Sequence, residues 1–184
     1  HIGLGNLDAN RFEIAIRDLG LPIEDVRNRT LEIIDQLDGK FPNYFGDQRF
    51  GSARPITHQV GRHILRGEFE EAVWTYIAKP YDSEYKSIRK TRENLWESRD
   101  PEDAAEKFPE SYRYEKTLLY HLNKNEEDYK GALKRLPEGL QELFIHAYQS
   151  WIFNRVLSEL LDDEWFDPEY EIPLVGFKTD LKDN

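Results

Sequence analysis

The sequence predicts an α+β protein in which a small mixed portion precedes a mainly helical one. Three observations carry that expectation. Residues 11–17, RFEIAIR, alternate strictly, placing Phe12, Ile14 and Ile16 on one side; a period of two is the mark of a half-buried strand. From residue 24 onward apolar residues recur mostly at three- and four-residue steps, the period of a helix with one buried face. Between the resulting segments stand Gly39, Gly67, Pro80, Pro101 and Pro137, the residue types that end helices or open them.

Taken in order, the strand over 11–17 is followed by a turn at Leu21-Pro22 and a helix over 24–38. Its inward positions are Val26, Thr30, Ile33, Ile34 and Leu37, and Gly39 stops it. Residues 41–55 hold two prolines and two glycines among aromatics and read as loop or short strand. Thr57 is a suitable N-cap for a helix reaching residue 66, which Gly67 closes. Residues 68–78 form the next helix, with Phe69, Val73, Trp74 and Ile77 apolar, ended by Pro80. Helices over 83–98, 101–108 (capped by Asp100, with Pro101 at its first position), 110–122, 126–136 and 137–161 follow. The last carries a wide apolar stripe of Leu140, Phe144, Ala147, Tyr148, Trp151, Val156 and Leu160. The texture changes over 162–173, and LVGFKTDLKDN reads as a strand and a polar tail.

Composition excludes several classes of function. The chain has 184 residues, 39 % of them apolar and 13 % aromatic, and a mean hydropathy of −0.77. It is polar, yet too aromatic to be disordered, so a packed core is expected. With no cysteine, a disulfide scaffold, a thiolate metal site and a Cys nucleophile are ruled out. No apolar run approaches the roughly 18 residues of a spanning helix, and the N-terminus lacks a signal-peptide layout. No membrane partner and a cytoplasmic setting are therefore expected. The net charge of −11 opposes nucleic-acid binding when taken as a whole. Its distribution is uneven. Residues 40–66 contain Lys40, Arg49, Arg54, Arg62 and Arg66 against the single acid Asp47, a net +4 that leaves −15 on the rest.

Within that basic segment lies PNYFGDQRFG, residues 42–51. Glycines let a backbone approach a ligand closely. Aromatic faces stack on an unpaired base, and a carboxamide can read a base edge. An arginine can clamp phosphate or orient a carboxylate. The plain structural reading of the same residues is an aromatic-rich turn buried between two elements.

PNYFGDQRFG also resembles the signature of the TruD pseudouridine synthases. The resemblance continues through RPITHQVGR (54–62), FIHAYQSWIFN (144–154) and NRFEIAIR (10–17), and the wording of these blocks is most similar to archaeal members. What it implies is isomerisation of uridine to pseudouridine in RNA, typically at position thirteen of tRNA, without cofactor or metal. It further implies an RNA cleft between a catalytic domain and a helical TRUD insertion. On that reading residues 1–66 are part of a catalytic domain, made of strand, helix and loop. Residues 67–184 are the insertion, with an abbreviated junction near 162–173. Asn43 would read the uracil edge, Phe45 would pack on the ring or support its slot, and Arg49 would hold phosphate or the nucleophile.

The family's nucleophile is an Asp in a segment resembling GLKDKRA-V-T, placed before the strand that 10–17 matches. This sequence has no such segment, and Asp8, Asp18 and Asp25 lack its context. The family's C-terminal catalytic block is missing as well. No catalytic residue is assigned, and the chain is expected to be an interior portion of an enzyme, inactive by itself.

Other candidates have plainer readings. His58 and His63 are five apart, which is not the spacing of a helical metal pair, so solvated or capping roles and no metal are expected. His146 reads as a core or interface histidine. Lys86, Arg89, Lys90 and Arg92 form a basic cluster that could face RNA, although Glu84 and Glu93 dilute it. The aromatics Tyr148, Trp151 and Phe153 read as structural. The expected partner is tRNA, not DNA. The alternative to the enzyme is a non-catalytic helical module that docks RNA or protein.

Overall fold

The structure, a computed structural model, describes residues 9, 11–38, 41–102 and 104–162. The chain divides into two units, His1–Pro42 and Asn43–Asn184. The expected boundary near residue 66 falls inside the second of them.

In the first unit α1 spans Ile23–Gln36. It begins directly after Pro22, whose fixed φ leads the chain into the helix, and carries Glu24 and Asp25 in its first turn. The expected apolar face forms, but none of its residues is buried; Ile33, Ile34 and Leu37 all stand open to solvent. Residues 11–19 adopt no regular structure. This corrects the strand expected over 11–17, and no strand occurs among the described residues, so what they show is helical and not α+β. A strand must satisfy its backbone N–H and C=O groups on a neighbour. None of the described residues supplies one, and Phe12, Ile14 and Ile16 remain 77 %, 79 % and 72 % exposed.

The second unit is helical. It contains α2 (Thr57–Leu65), α3 (Phe69–Ala78), α4 (Lys86–Ser98), α5 (Arg113–Lys124), α6 (Tyr129–Leu133) and α7 (Glu138–Leu161). Two short 3₁₀ turns sit at Asp47–Arg49 and Ala105–Lys107. The core is centred on α3, whose Ala72, Val73, Trp74, Ile77 and Ala78 are all buried, as its pattern predicts. Against it pack Leu118, Leu119 and Leu122 of α5, Leu95 of α4 and Phe144 of α7. Pro80 ends α3 as expected: Lys79 is pushed to an extended backbone, the conformation a following proline favours.

Several boundaries differ from the periodicity, each for a local reason. Thr57 is the first residue of α2 and not its cap; Ile56 holds the cap position without a side-chain bond. The helix expected over 101–108 shrinks to one 3₁₀ turn, because Asp100 spends its carboxylate on the Glu102 N–H two residues on, forming a tight local turn. The helix expected over 126–136 contracts to α6, capped by Asp128, which accepts the Gly131 N–H at 2.9 Å. His121 bonds the other oxygen of the same carboxylate at 2.9 Å. These two bonds hold Asp128 below the usual carboxylate range, the histidine contributing most.

α2 and α7 lie side by side, and Gly61 is what lets them do so. A Cβ at Gly61 would stand 2.0 Å from the Phe144 carbonyl oxygen. Only glycine allows that approach.

Candidate functional site

Residues 43–51 of the signature form one loop that meets the C-terminal half of α7. Its backbone runs irregularly to Gly46, closes one 3₁₀ turn, and then bends at Gly51, where φ is +103°. A side chain at Gly51 would also strike the Arg54 carbonyl, since its Cβ would lie 2.3 Å from that oxygen. Both conditions require glycine. The loop is tied to α2 by the Thr57 N–H, which donates to the Phe50 carbonyl at 3.1 Å.

Three residues of α7 hold the loop from below. Asn154 accepts the Phe45 N–H at Oδ1, 2.9 Å, and donates from Nδ2 to the Phe45 carbonyl, also 2.9 Å. Phe153 meets the Phe45 ring edge-on, with centroids 5.5 Å apart and planes at 81°. The Tyr44 hydroxyl bonds Ser158 Oγ at 3.0 Å. Above the loop, the Arg49 guanidinium sits 5.3 Å from the centre of the Phe45 ring, in cation–π contact. Phe45 and Arg49 are half-buried and Asn43 is exposed. The site therefore offers a free carboxamide at its rim, an aromatic wall and a cationic group over that wall.

Behind the loop runs a ladder of rings. Phe50 meets His58 edge-on at 5.4 Å, His58 stacks on Trp151 at 5.9 Å and 8°, and Trp151 stacks on Tyr148 at 5.9 Å and 11°. Burial, and then the charge of Lys79, hold His58 below the ordinary imidazole range.

Below the turn that follows the loop is an ionic cluster that periodicity cannot reveal. Arg54 donates from Nη2 to the carbonyls of Thr75, Tyr76 and Lys79, at 3.3, 3.0 and 2.9 Å. It thereby closes the C-terminal end of α3, where carbonyls lack helical partners and the dipole is negative. Arg92 bonds the Ile77 carbonyl of the same helix, Glu84 at 2.8 Å and Glu115 at 2.9 Å. Burial and the repulsion of Arg92 lower Arg54 to about 10. Burial raises the Tyr76 hydroxyl beside them.

Asn43, Phe45 and Arg49 thus come together on one loop. The basic cluster of α4 does not survive: Arg92 is 1 % exposed and faces Glu84 and Glu115, while Arg89 pairs with Asp82 and Glu93. An amphipathic helix turns one position in three or four inward, and here that position happens to be an arginine. His146 is exposed, because it points away from the α7 face that buries Phe144 and Ala147. His63 bonds Glu68 at 2.7 Å and joins α2 to α3, a bond that lowers the Glu68 carboxyl. His58, expected to be solvated or capping, is a half-buried member of the ring ladder. No group of residues able to hold a metal occurs among the described residues. Asp18 and Asp25 lie in the first unit and Asp8 outside the described residues. The sequence pattern singles out neither Asn154 nor Ser158 for this contact. Asn154 stands in the 144–154 block, but nothing local to it announces a partner 109 positions away.

A family model described as tRNA pseudouridine synthase D (TruD) matches residues 1–178. The chain belongs to the TruD family. It is 47 % identical over 163 residues to a probable tRNA pseudouridine synthase D of Archaeoglobus fulgidus, an alignment covering 86 % of this chain and 37 % of that protein. With the corresponding protein of Thermoplasma volcanium it shares 44 % over 161 residues, covering 88 % and 37 %. A crystal structure of a TruD candidate from Methanosarcina mazei superposes with a TM-score of 0.74 at 34 % identity, over 78 % of this chain and 34 % of that one. This TruD chain therefore spans about 37 % of the length of the curated relatives it matches. No helix among the described residues is long and apolar enough to cross a membrane.

Proposed function

We propose that this TruD chain is the base-reading and helical portion of a tRNA pseudouridine synthase, acting in the cytoplasm on uridine-13. Family membership supports the reaction class. The observation that carries the role of this portion is Asn43, Phe45 and Arg49 on a single loop clamped by α7. An Asp carboxylate from outside the chain would attack the flipped uridine and release the base from the sugar carbon. The base would then turn and attack the sugar carbon through its own ring carbon, expelling the Asp carboxylate; that ring carbon loses its proton and the former glycosidic nitrogen gains one. The chemistry needs neither metal nor cofactor. It does need a dry slot, because water would compete with re-bonding. Phe45, backed by Phe153, forms the wall of that slot, while Asn43 offers its carbonyl to the uracil ring N–H and its amide to the neighbouring oxygen. Arg49, held over Phe45, binds phosphate or orients the nucleophile.

Residues 1–66 belong on this reading to the catalytic domain and 67–184 to the insertion. The full-length enzyme then supplies a sheet against which 11–17 becomes a strand, giving the α+β fold and covering Phe12, Ile14 and Ile16 together with the face of α1.

The test is Asn43→Ala in the full-length protein. Loss of one buried base contact costs roughly 1–3 kcal/mol. Turnover should fall by about one to two powers of ten, with little change in tRNA affinity, because phosphate contacts dominate affinity. Phe45→Ala should behave similarly. Unchanged turnover at an unchanged melting temperature would make the signature scaffolding, and the chain a helical docking module.

A further inference from the structure

Asn154 makes both of its hydrogen bonds to one residue of the loop, and that arrangement is restrictive. The Phe45 N–H belongs to the peptide joining residues 44 and 45, and the Phe45 carbonyl to the peptide joining 45 and 46. By accepting from the first and donating to the second, both at 2.9 Å, one planar carboxamide fixes both peptide planes around Phe45. No other common side chain of this size both donates and accepts in a plane. Phe153, adjacent in sequence, blocks the Phe45 ring edge-on. One turn along, Ser158 donates to the Asn154 carbonyl and bonds the Tyr44 hydroxyl, both at 3.0 Å. α7 thus holds the Phe45 backbone on both sides and ties the Tyr44 side chain at its hydroxyl. Asn43 lies two residues before Phe45 on the same loop, and its side chain is exposed.

We propose that Asn154 is a positioning residue of the base slot: it touches no substrate, and by fixing the peptides on both sides of Phe45 it aims that ring at the base and anchors the stretch of loop from which Asn43 projects. This rests on the reading of Asn43 and Phe45 given above. A catalytic constellation displaced by about 1 Å loses on the order of a hundredfold in rate, so the clamp matters far more to turnover than to tRNA binding.

The experiment compares Asn43→Ala, Asn154→Leu, Asn154→Asp and the double variant Asn43→Ala/Asn154→Leu in the full-length protein, with amide hydrogen exchange at Phe45 as an independent readout. Asn154→Leu keeps the shape and loses both bonds; turnover should fall ten- to hundredfold with KM for tRNA within about threefold, and exchange at Phe45 should accelerate. Asn154→Asp keeps the acceptor alone and should fall between it and the parent. It carries the test if the leucine variant does not fold. Because Asn154 acts in part through Asn43 and in part through Phe45, the double variant should lose clearly less than the two single losses combined. Additive losses, or full turnover in both Asn154 variants while Asn43→Ala is impaired, would overturn the positioning role. Faster exchange at Phe45 with every variant, Asn43→Ala included, at full turnover would instead overturn the reading of the slot and with it this inference.

Discussion

Arg92 occupies a position in α4 that a helix of this pattern would give to leucine, and its burial is tolerated because every direction it faces is answered. Glu84 and Glu115 take its charge, the Ile77 carbonyl takes a donor, and the rings of Phe108 and Tyr112 lie 5.2 and 5.5 Å from its guanidinium carbon. Removing one partner of such a cluster strands the others. Arg92→Leu should destabilise the protein by roughly 3 kcal/mol, since two buried carboxylates are left with Arg54 alone. That is a fall of about 6–12 °C in Tm; a Tm within 2 °C of the parent would show that the carboxylates find other partners. His58 carries a pH dependence. Its pKa is lowered in the fold, so the unfolded chain takes up the proton first as pH falls. Its contribution is complete above the unfolded value near 6.5, and is lost as pH drops from there through the folded pKa. Thermal unfolding between pH 7 and 5 should show a shallower decline for His58→Phe than for the parent, and equal slopes would place the titration elsewhere.

α7 does two jobs along its length. Its first half buries Phe144 and Ala147 against the core and accepts the close approach of α2 at Gly61. Its second half, less deeply packed, presents Phe153, Asn154 and Ser158 to the loop. Because α2 also anchors the loop at Thr57, the spacing of these two helices sets the loop's frame. Glycine in a helix ordinarily costs about 1 kcal/mol relative to alanine, so Gly61→Ala would be stabilising if propensity decided. The new methyl would instead overlap the Phe144 backbone, and overpacking of this kind costs about 1–3 kcal/mol. Denaturant midpoints compare the two effects directly. A midpoint above the parent's would mean that α2 and α7 separate easily.

For the whole chain, electrostatics limits what it can do with RNA. The segment 40–66 carries +4 by sequence, but Arg54 is buried with its charge answered by Glu84 and Glu115, and Arg66 lies 3.8 Å from Glu68. Few positive charges are left to meet phosphates, against −15 elsewhere. The 184-residue chain should bind tRNA weakly, with affinity falling steeply between about 50 and 200 mM salt, and should form no pseudouridine. Filter binding across that range and nucleoside analysis after incubation check both, and salt-independent binding would contradict the first.

Local patterns sufficed for most helices of the second unit, because their burial repeats at helical steps and their ends are marked by prolines and Gly67, but they drew the helices over 101–108 and 126–136 too long. For residues 41–55 they left loop and short strand open, and it is the resemblance to the TruD signature that singles out the loop. They misjudged Arg92, His146 and Asp100, since no periodicity says whether an inward position holds a charge with partners waiting, or where an acid finds its nearest amide. They could not show that Asn154 grips Phe45, or that Arg54 closes α3, because these bonds join residues 109 and more than 20 positions apart. A helix presents faces by its own geometry. Which of its side chains meets a given backbone amide on another segment depends on how the helices pack, and here on a glycine that lets two of them touch.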